Sequence, residues 1–374
     1  MRFPPTVLSD GERQLRAEVR EFLGGETAVL GRTDMASGVD REFSRRLAAR
    51  GWVAMSIPAE YGGSGRTAVD RFIVAAELLA AGAPVGGHWV SDRQTAPAIL
   101  KFGSEEQRRH FLPAIAAAQV EFSIGMSEPD SGSDLASIRT AATAAAGGWR
   151  VRGTKLWTSG AHRNDFLLTL VRTSREERKH QGLSQLIVDL SADGVTIRPV
   201  IGLDGRHEFN EVILDDVFVP DAMVLGEIGS GWSQVTSELA YERSGPDRWL
   251  STFGLFQRFL AGGSASRSTR ELDAIGRIAA QYRVLYNLSL SIARVIDRGG
   301  APAAEAALVK DIGTVFEKQV AETIRDLSRL PSDVDQSDPL ASELAASILT
   351  IPSLTLRGGT TEILRSVAAK ELLR

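Results

Sequence analysis

The sequence predicts an α+β chain of several domains, with helices first, a sheet domain in the middle and a helical bundle at the end. Three observations predict it. Apolar residues recur at helical spacing as far as Ala118, short branched and aromatic runs bounded by turn pairs fill Glu121 to Pro220, and helical spacing then returns. We place the boundaries at 1–120, 121–225 and 226–374. A chain of 374 residues is long enough to bury its core without metals or cross-links.

The first helix spans Ser9 to Leu23, where Leu15, Val19 and Phe22 share a face and Ser9 with Glu12 has the form of a capping box. Asp40–Arg50, Thr67–Ala81 and Ser104–Ala118 follow, the last opening on a second such pair, Ser104 and Gln107. In the middle, Trp149 with Val151, Phe166–Val171, Gln185–Val188, Val195–Ile197 and Val212–Val219 read as strands. The turn pairs Gly147-Gly148, Asp193-Gly194 and Asp204-Gly205 suit an antiparallel sheet. The alanine-rich Ala114–Ala118 and Ala141–Ala146 read as biased composition only. Beyond Pro220, helices are expected over Gly231–Leu260, Arg270–Ile296, Ala303–Leu330 and Thr360–Leu373.

Composition excludes several kinds of chemistry. The 43 basic and 47 acidic residues are interspersed and leave a charge of -4, which implies no attraction to nucleic acid or to an anionic membrane. Arg175–His180 is diluted by Glu176 and Glu177 and reads as a solvated loop. Without cysteine there is no disulfide, thiolate metal site or cysteine nucleophile. His88, His110, His162, His180 and His207 lack metal-ligand spacing and are expected on the surface or in loops, so no metal is expected. No Gly-x-Ser-x-Gly elbow is present. The start lacks a basic and then apolar leader, and no run of about 18 apolar residues occurs, so a cytoplasmic enzyme is expected.

Three segments carry chemistry. Phe122 to Asp134 passes from an apolar strand into a turn with Pro129, Gly132 and two serines, which offers amides and hydroxyls to an anion or a polar ring. Gly153-Thr-Lys-Leu-Trp-Thr-Ser-Gly160 sets a flat aromatic beside hydroxyls, as a flavin ring requires. Arg357-Gly-Gly-Thr-Thr-Glu-Ile-Leu-Arg365 places paired glycines before a threonine-capped helix. Singly, each is also explained by a polar turn, a core aromatic or a plain loop-to-helix junction.

Together, in this order, they resemble the acyl-CoA dehydrogenase family over nearly the whole chain. Gly51–Gly63, Phe102–Gln107, Gly205–Val212 and Asp215–Pro220 add to the likeness. The resemblance implies an FAD enzyme with a four-helix C-terminal bundle that desaturates an acyl-CoA thioester between its alpha and beta carbons. It also implies oligomeric assembly and an electron-transferring flavoprotein as acceptor. It puts Ile124, Met126, Ser127, Gly132 and Ser133 along the flavin, with Ser133 also near the thioester, and Trp157, Thr158 and Ser159 in the second flavin segment, with Ser159 at the redox-active nitrogen. Arg270, Gln281, Thr360 and Glu362 match further cofactor positions, and Arg243 a coenzyme A position.

Many members carry the catalytic glutamate where this chain has Gly358; other branches place it on the first helix of the bundle, which here is Glu242. Independently, Val235, Leu239, Glu242, Pro246, Trp249, Phe253, Phe256 and Leu260 recur near a helical period and would set Glu242 on an apolar stripe, where burial raises a carboxyl toward the working pH of a base. The other readings are an ion pair with Arg243 or Arg248, or an exposed residue on a helix kinked at Pro246.

Arg270 and Gln281 keep the family's eleven-residue spacing, but Asp273-Ala274 replaces Phe-Gly, and Leu330–Gln336 replaces a glycine-rich segment. These changes admit a homo-oligomer or a heterotetramer with a homologous subunit. Two alternatives stand beside the dehydrogenase: a flavin monooxygenase on the same fold, and a degenerate subunit that serves an active homologue.

Overall fold

The computed structural model describes residues 3–4, 6–27, 30, 38–262, 267–328, 330 and 337–373, with the side chains of 238–242 and 372 excepted. The segment Leu330–Gln336 therefore lies largely outside the described residues.

Helices α1 (Asp10–Gly25), α2 (Arg41–Ala49) and α3 (Ala68–Ala80) start where the capping residues Ser9, Asp40 and Thr67 accept from backbone amides. A short α4 (Gly86–Val90), a π-helical turn (Ser91–Thr95) and α5 (Ala96–Phe102) follow without a break. Then α6 (Glu105–Ala116) opens on the reciprocal Ser104 and Gln107 box. The sheet comprises β1 (Phe122–Gly125), β2 (Ala141–Ala145), β3 (Gly148–Ser159), β4 (Phe166–Arg172), β5 (Leu183–Asp189), β6 (Val195–Ile201), β7 (His207–Pro220) and β8 (Val224–Leu225). After it come α7 (Gly231–Glu242), α8 (Phe253–Ala261), α9 (Thr269–Asp297), α10 (Ala303–Ser328), α11 (Pro339–Leu354) and α12 (Thr361–Leu372). The α+β order of helices, sheet and helices is as expected.

Two compact units emerge, and they follow space rather than sequence. One comprises 1–38, 67–84 and 240–374; the other comprises 39–66 and 85–239. In the first, α1 packs on α3, α3 on α9, and α10 takes α9, α11 and α12 around its buried Val309, Phe316, Val320 and Ile324. In the second, the strands run in the order β6, β7, β3, β2, β4, β5, β8, with β1 on β4. Val151, Leu167, Leu186, Val188, Val212 and Leu214 form its sheet core.

Most pairings are antiparallel, but β1 runs parallel to β4 throughout, and β2 meets β4 in parallel at Ala141 and Arg172. The connection from Met126 to Thr140 lets β2 resume the direction of β1, so both run parallel to β4. The alanine-rich Ala141–Ala145 is thus a strand, held by its hairpin with β3 through Gly147 at φ 75°.

The expected helix over Gly231–Leu260 is broken. It stops at Glu242, Gly245 is extended at ψ 156°, a single turn spans Pro246–Arg248, and α8 begins at Phe253. Proline has no amide for the helical bond and crowds the carbonyl four residues back. The stripe from Val235 to Leu260 is therefore not one helix face. The α11 helix, capped by Asp338 with Pro339 at its first position, was not anticipated. Among the described residues, no helix is long and apolar enough to cross a membrane.

Candidate active site

In the sheet unit, β1 leads into the first chemical segment. The hydroxyl of Thr169 donates to Gly125 O at 2.8 Å, and a Cβ at Gly125 would sit 2.8 Å from that hydroxyl, so glycine lets the strand lie flush on β4. Ile124, Met126 and Ser127 are half-buried, and Met126 packs on Ile138, Leu170 and Leu183. Glu128 and Ser131 exchange backbone bonds of 2.8 and 3.1 Å that close the turn, and Gly132 and Ser133 stand exposed just after it.

The second segment carries a distortion. Pairing between β3 and β7 slips between Lys155 and Thr158, and there Trp157 takes φ 62° with its ring 56% exposed, edge-on to Phe209. A bulky residue in the left-handed region costs energy, and such outliers concentrate at functional sites. Thr158 is buried, and Ser159 half-buried. Leu156 N donates to Ser127 O at 2.9 Å and the Ser123 hydroxyl to Ser159 O at 2.8 Å, so the two segments lie side by side. Ile124, Met126 and Ser127 are thereby brought together with Trp157, Thr158 and Ser159.

Beneath them lies a pair that the sequence reading passed over. Lys155 is fully buried; its ammonium donates to Glu128 at 2.8 Å and to Met126 O at 3.3 Å. The Glu128 carboxylate also accepts from the amides of Arg139 at 2.6 Å and Thr140 at 2.9 Å. Burial pushes the Lys155 pKa down to about 8 against the pull of Glu128. Burial alone would raise Glu128, but Lys155 and the surrounding donors outweigh it and hold the carboxyl below its ordinary range. The signal was available: Val151, Gly153 and Lys155 share one face of β3, and a lysine in an inward position needs a partner.

The far side of the bulge is fixed by buried Asn210, which donates to Thr158 O at 2.9 Å. Its amide oxygen meets His162 at 3.2 Å and His207 at 2.7 Å, and the two rings stack at 3.9 Å. His162 and His207 are exposed as expected, whereas His88 is buried, which corrects its expected surface role. Arg175 to Lys179 is an exposed loop from which Lys179 reaches Asp134 at 2.6 Å.

In the helical unit, Glu242 is the last residue of α7, and its side chain lies outside the described residues. Arg243 is buried and donates through Nε to Gly358 O at 3.1 Å, while the buried Lys310 donates to Gly359 O at 2.8 Å. Gly358 and Gly359 take φ 67° and 103°, so their carbonyls turn toward these cations in a conformation that glycine adopts without penalty. Arg248 is engaged with Asp247 at 3.0 Å. Arg357 donates to Asp247 O at 2.6 Å and to the Ser251 hydroxyl at 3.0 Å, and Ser251 N donates to the buried Glu317 at 2.8 Å. Burial raises the Glu317 carboxyl, with Arg357 opposing.

Thr360 occupies the N-cap position of α12, but its hydroxyl makes no bond to the helix amides, which corrects the expected threonine cap. Glu362 is held low by its own backbone amide and the Thr360 hydroxyl. Arg270 is exposed in the first turn of α9 and Gln281 is half-buried further along. Eleven residues are close to three helical turns, so the two share a face about 16 Å apart.

The sheet segments fit a flavin. The joined segments carry an exposed flat ring, Trp157, and the hydroxyls of Ser127 and Ser159, which with Ser133 donate to no protein acceptor among the described residues.

Comparison with known proteins agrees. The model for the acyl-CoA dehydrogenase N-terminal domain matches residues 9–119, and the one for the middle domain matches 123–217. Acyl-CoA dehydrogenase FadE26 of Mycobacterium tuberculosis is 32% identical, with 95% of each chain covered. FadE34 of the same organism is 33% identical over 96% of this chain, which spans 51% of that relative's length. Among solved structures, the Tcur3481-Tcur3483 steroid ACAD superimposes with TM-score 0.87 at 26% identity, covering 99% of each chain. The ChsE4-ChsE5 complex of M. tuberculosis gives 0.85 at 30% identity, covering 98% of this chain and 97% of that one. The chain belongs to the acyl-CoA dehydrogenase family, whose cofactor is FAD.

Proposed function

We propose that this chain desaturates an acyl-CoA thioester, with Glu242 as the base and with FAD held by Met126, Ser127, Trp157, Thr158 and Ser159. The observation that carries the reading is the bond from Leu156 N to Ser127 O, which sets a polar loop beside a strained, exposed tryptophan. When bound, FAD supplies the acceptor for the beta hydrogen and its two electrons. The chain's own residues do the rest. The Glu242 carboxylate takes the alpha proton onto one of its oxygens and later returns it to solvent. Ser127 and Ser159 offer hydroxyl donors to the ring, and Trp157 covers apolar surface. Arg243 and Lys310 hold Gly358 and Gly359, and thereby the approach to Thr360 and Glu362.

Assembly with a homologous chain completes this reading. Two of the similar structures are named as two-chain complexes, and Asp273-Ala274 departs from the family's subunit-contact pattern beside Arg270. One of those structures is named a steroid ACAD, so thioesters of steroid side chains head the substrates to test. An electron-transferring flavoprotein is the acceptor that family membership supports.

The test is an absorbance spectrum of the chain purified alone and with a co-expressed homologue, followed by anaerobic addition of a thioester panel. Flavin bands that bleach with a steroid-side-chain thioester are expected. A bound flavin that no thioester bleaches, in either preparation, would sink the dehydrogenase reading; substrate-dependent oxygen consumption would replace it with the monooxygenase.

A further inference from the structure

We propose that Lys155 and Glu128 are positioning residues for the flavin, a single buried ion pair that fixes the Met126–Ser127 loop against the Trp157 bulge. The inference rests on the flavin assignment above. Lys155 belongs to the tryptophan segment, two residues before Trp157; Glu128 belongs to the loop, one residue after Ser127. Their bond of 2.8 Å joins the two segments inside the unit.

Around this bond both segments are tied down. Lys155 also donates to Met126 O, so one ammonium holds the loop through a carbonyl and a carboxylate. Glu128 draws in the amides of Arg139 and Thr140, which pulls the loop's return limb onto its outgoing limb. One residue past Lys155, Leu156 N donates to Ser127 O. The bulge then begins, and Trp157 is left in a backbone conformation that its side chain disfavours. Such a conformation persists only where its flanks are fixed. On one flank stands Lys155, and on the other Asn210 holds Thr158 O.

A buried ion pair is weak evidence for stability, because apolar or neutral replacements of similar volume are often tolerated. What the pair does here is geometric. Four bonds join two chain segments through two adjoining side-chain groups; Ser127 lies between the Met126 and Glu128 bonds, and Trp157 follows two residues after Lys155.

The experiment compares Lys155→Met, Lys155→Met with Glu128→Gln, and the parent, as the full chain with its co-expressed homologue. The single variant leaves a buried unpaired carboxylate and is expected to lose stability. The double variant removes that charge, and its melting temperature should return most of the way to the parent's. FAD affinity should nevertheless stay at least tenfold weaker, with an altered flavin absorption envelope and a shifted reduction potential. In the absence of FAD, the Leu156 amide should exchange with deuterium at least tenfold faster than in the parent.

If the double variant regains parental FAD affinity, spectrum and potential together with its stability, the pair is merely structural and the proposal is overturned. An unchanged Leu156 exchange rate overturns it as well. A parent that takes up no FAD overturns the flavin assignment instead, and that outcome is separate because the exchange measurement contains no flavin.

Discussion

Arg243 Nε donates to the carbonyl of Gly358 at 3.1 Å, which ties the residue after Glu242 to the glycine that stands where many family members carry their carboxylate. A carboxylate cannot come from Gly358, and the base proposed above is Glu242. Glu242→Gln keeps the shape and hydrogen-bonding capacity but cannot take a proton. Anaerobic flavin reduction by substrate should slow by about a hundredfold to ten-thousandfold, while FAD occupancy and ligand binding stay at parental levels. Reduction at the parent rate would make Glu242 structural.

Restoring a carboxylate by Gly358→Glu in the Glu242→Gln background should recover only part of the lost rate. Gly358 sits at φ 67°, where a side chain costs roughly 1–2 kcal/mol, and a carboxylate there would have the buried Arg243 guanidinium beside it. Single-turnover reduction is the measurement. Full recovery would show that the loop accepts a side chain freely, against its backbone geometry.

Trp157 separates conformation from contact. Trp157→Ala and Trp157→Gly both remove the ring, so both should lose the yellow colour while keeping the fold. Only glycine accepts φ 62° without strain, so Trp157→Gly should be the more stable of the two by about 1 kcal/mol in a urea titration. Full FAD occupancy in both variants would remove Trp157 from the cofactor site.

Much of this was legible beforehand because local rules carry it. The Ser9 and Ser104 boxes start α1 and α6 as read, and branched runs give β4 and β5. Where tertiary context decides, the reading failed. Ala141–Ala145 has little β propensity beyond Thr143 and becomes a strand through the Gly147 turn that folds it back on β3. The period from Val235 to Leu260 survives Pro246 on paper although the helix does not. In the site, the motif residues were visible as types, but Lys155, Glu128 and Asn210 act through partners far apart in sequence, which one-dimensional spacing does not reveal. The glycine at position 358 was visible as a departure, whereas the anchorage of Arg357 on Asp247 and Ser251 and of Gly359 on Lys310 was not.

The buried His88 is expected to make the sheet unit sensitive to acid. Its Nδ1 lies 2.8 Å from the Ser44 hydroxyl, which itself donates to Asp40 O at 3.1 Å, so His88 is the donor in the first bond and carries its proton on Nδ1. Burial lowers its pKa from the ordinary 6.5 to about 4, with Asp92 opposing. A lowered folded-state value means that the unfolded chain binds the proton first. The contribution is therefore complete above about pH 6.5 and is lost as pH falls toward 4. At 1.36 kcal/mol per unit, the loss between pH 7 and pH 5 is about 2 kcal/mol. His88→Gln cannot titrate in this range, so its stability should fall less than the parent's over the same interval, by roughly that amount. Urea titrations of both proteins at pH 7 and pH 5 provide the comparison, and an equal fall in the two would show that His88 plays no part in acid sensitivity.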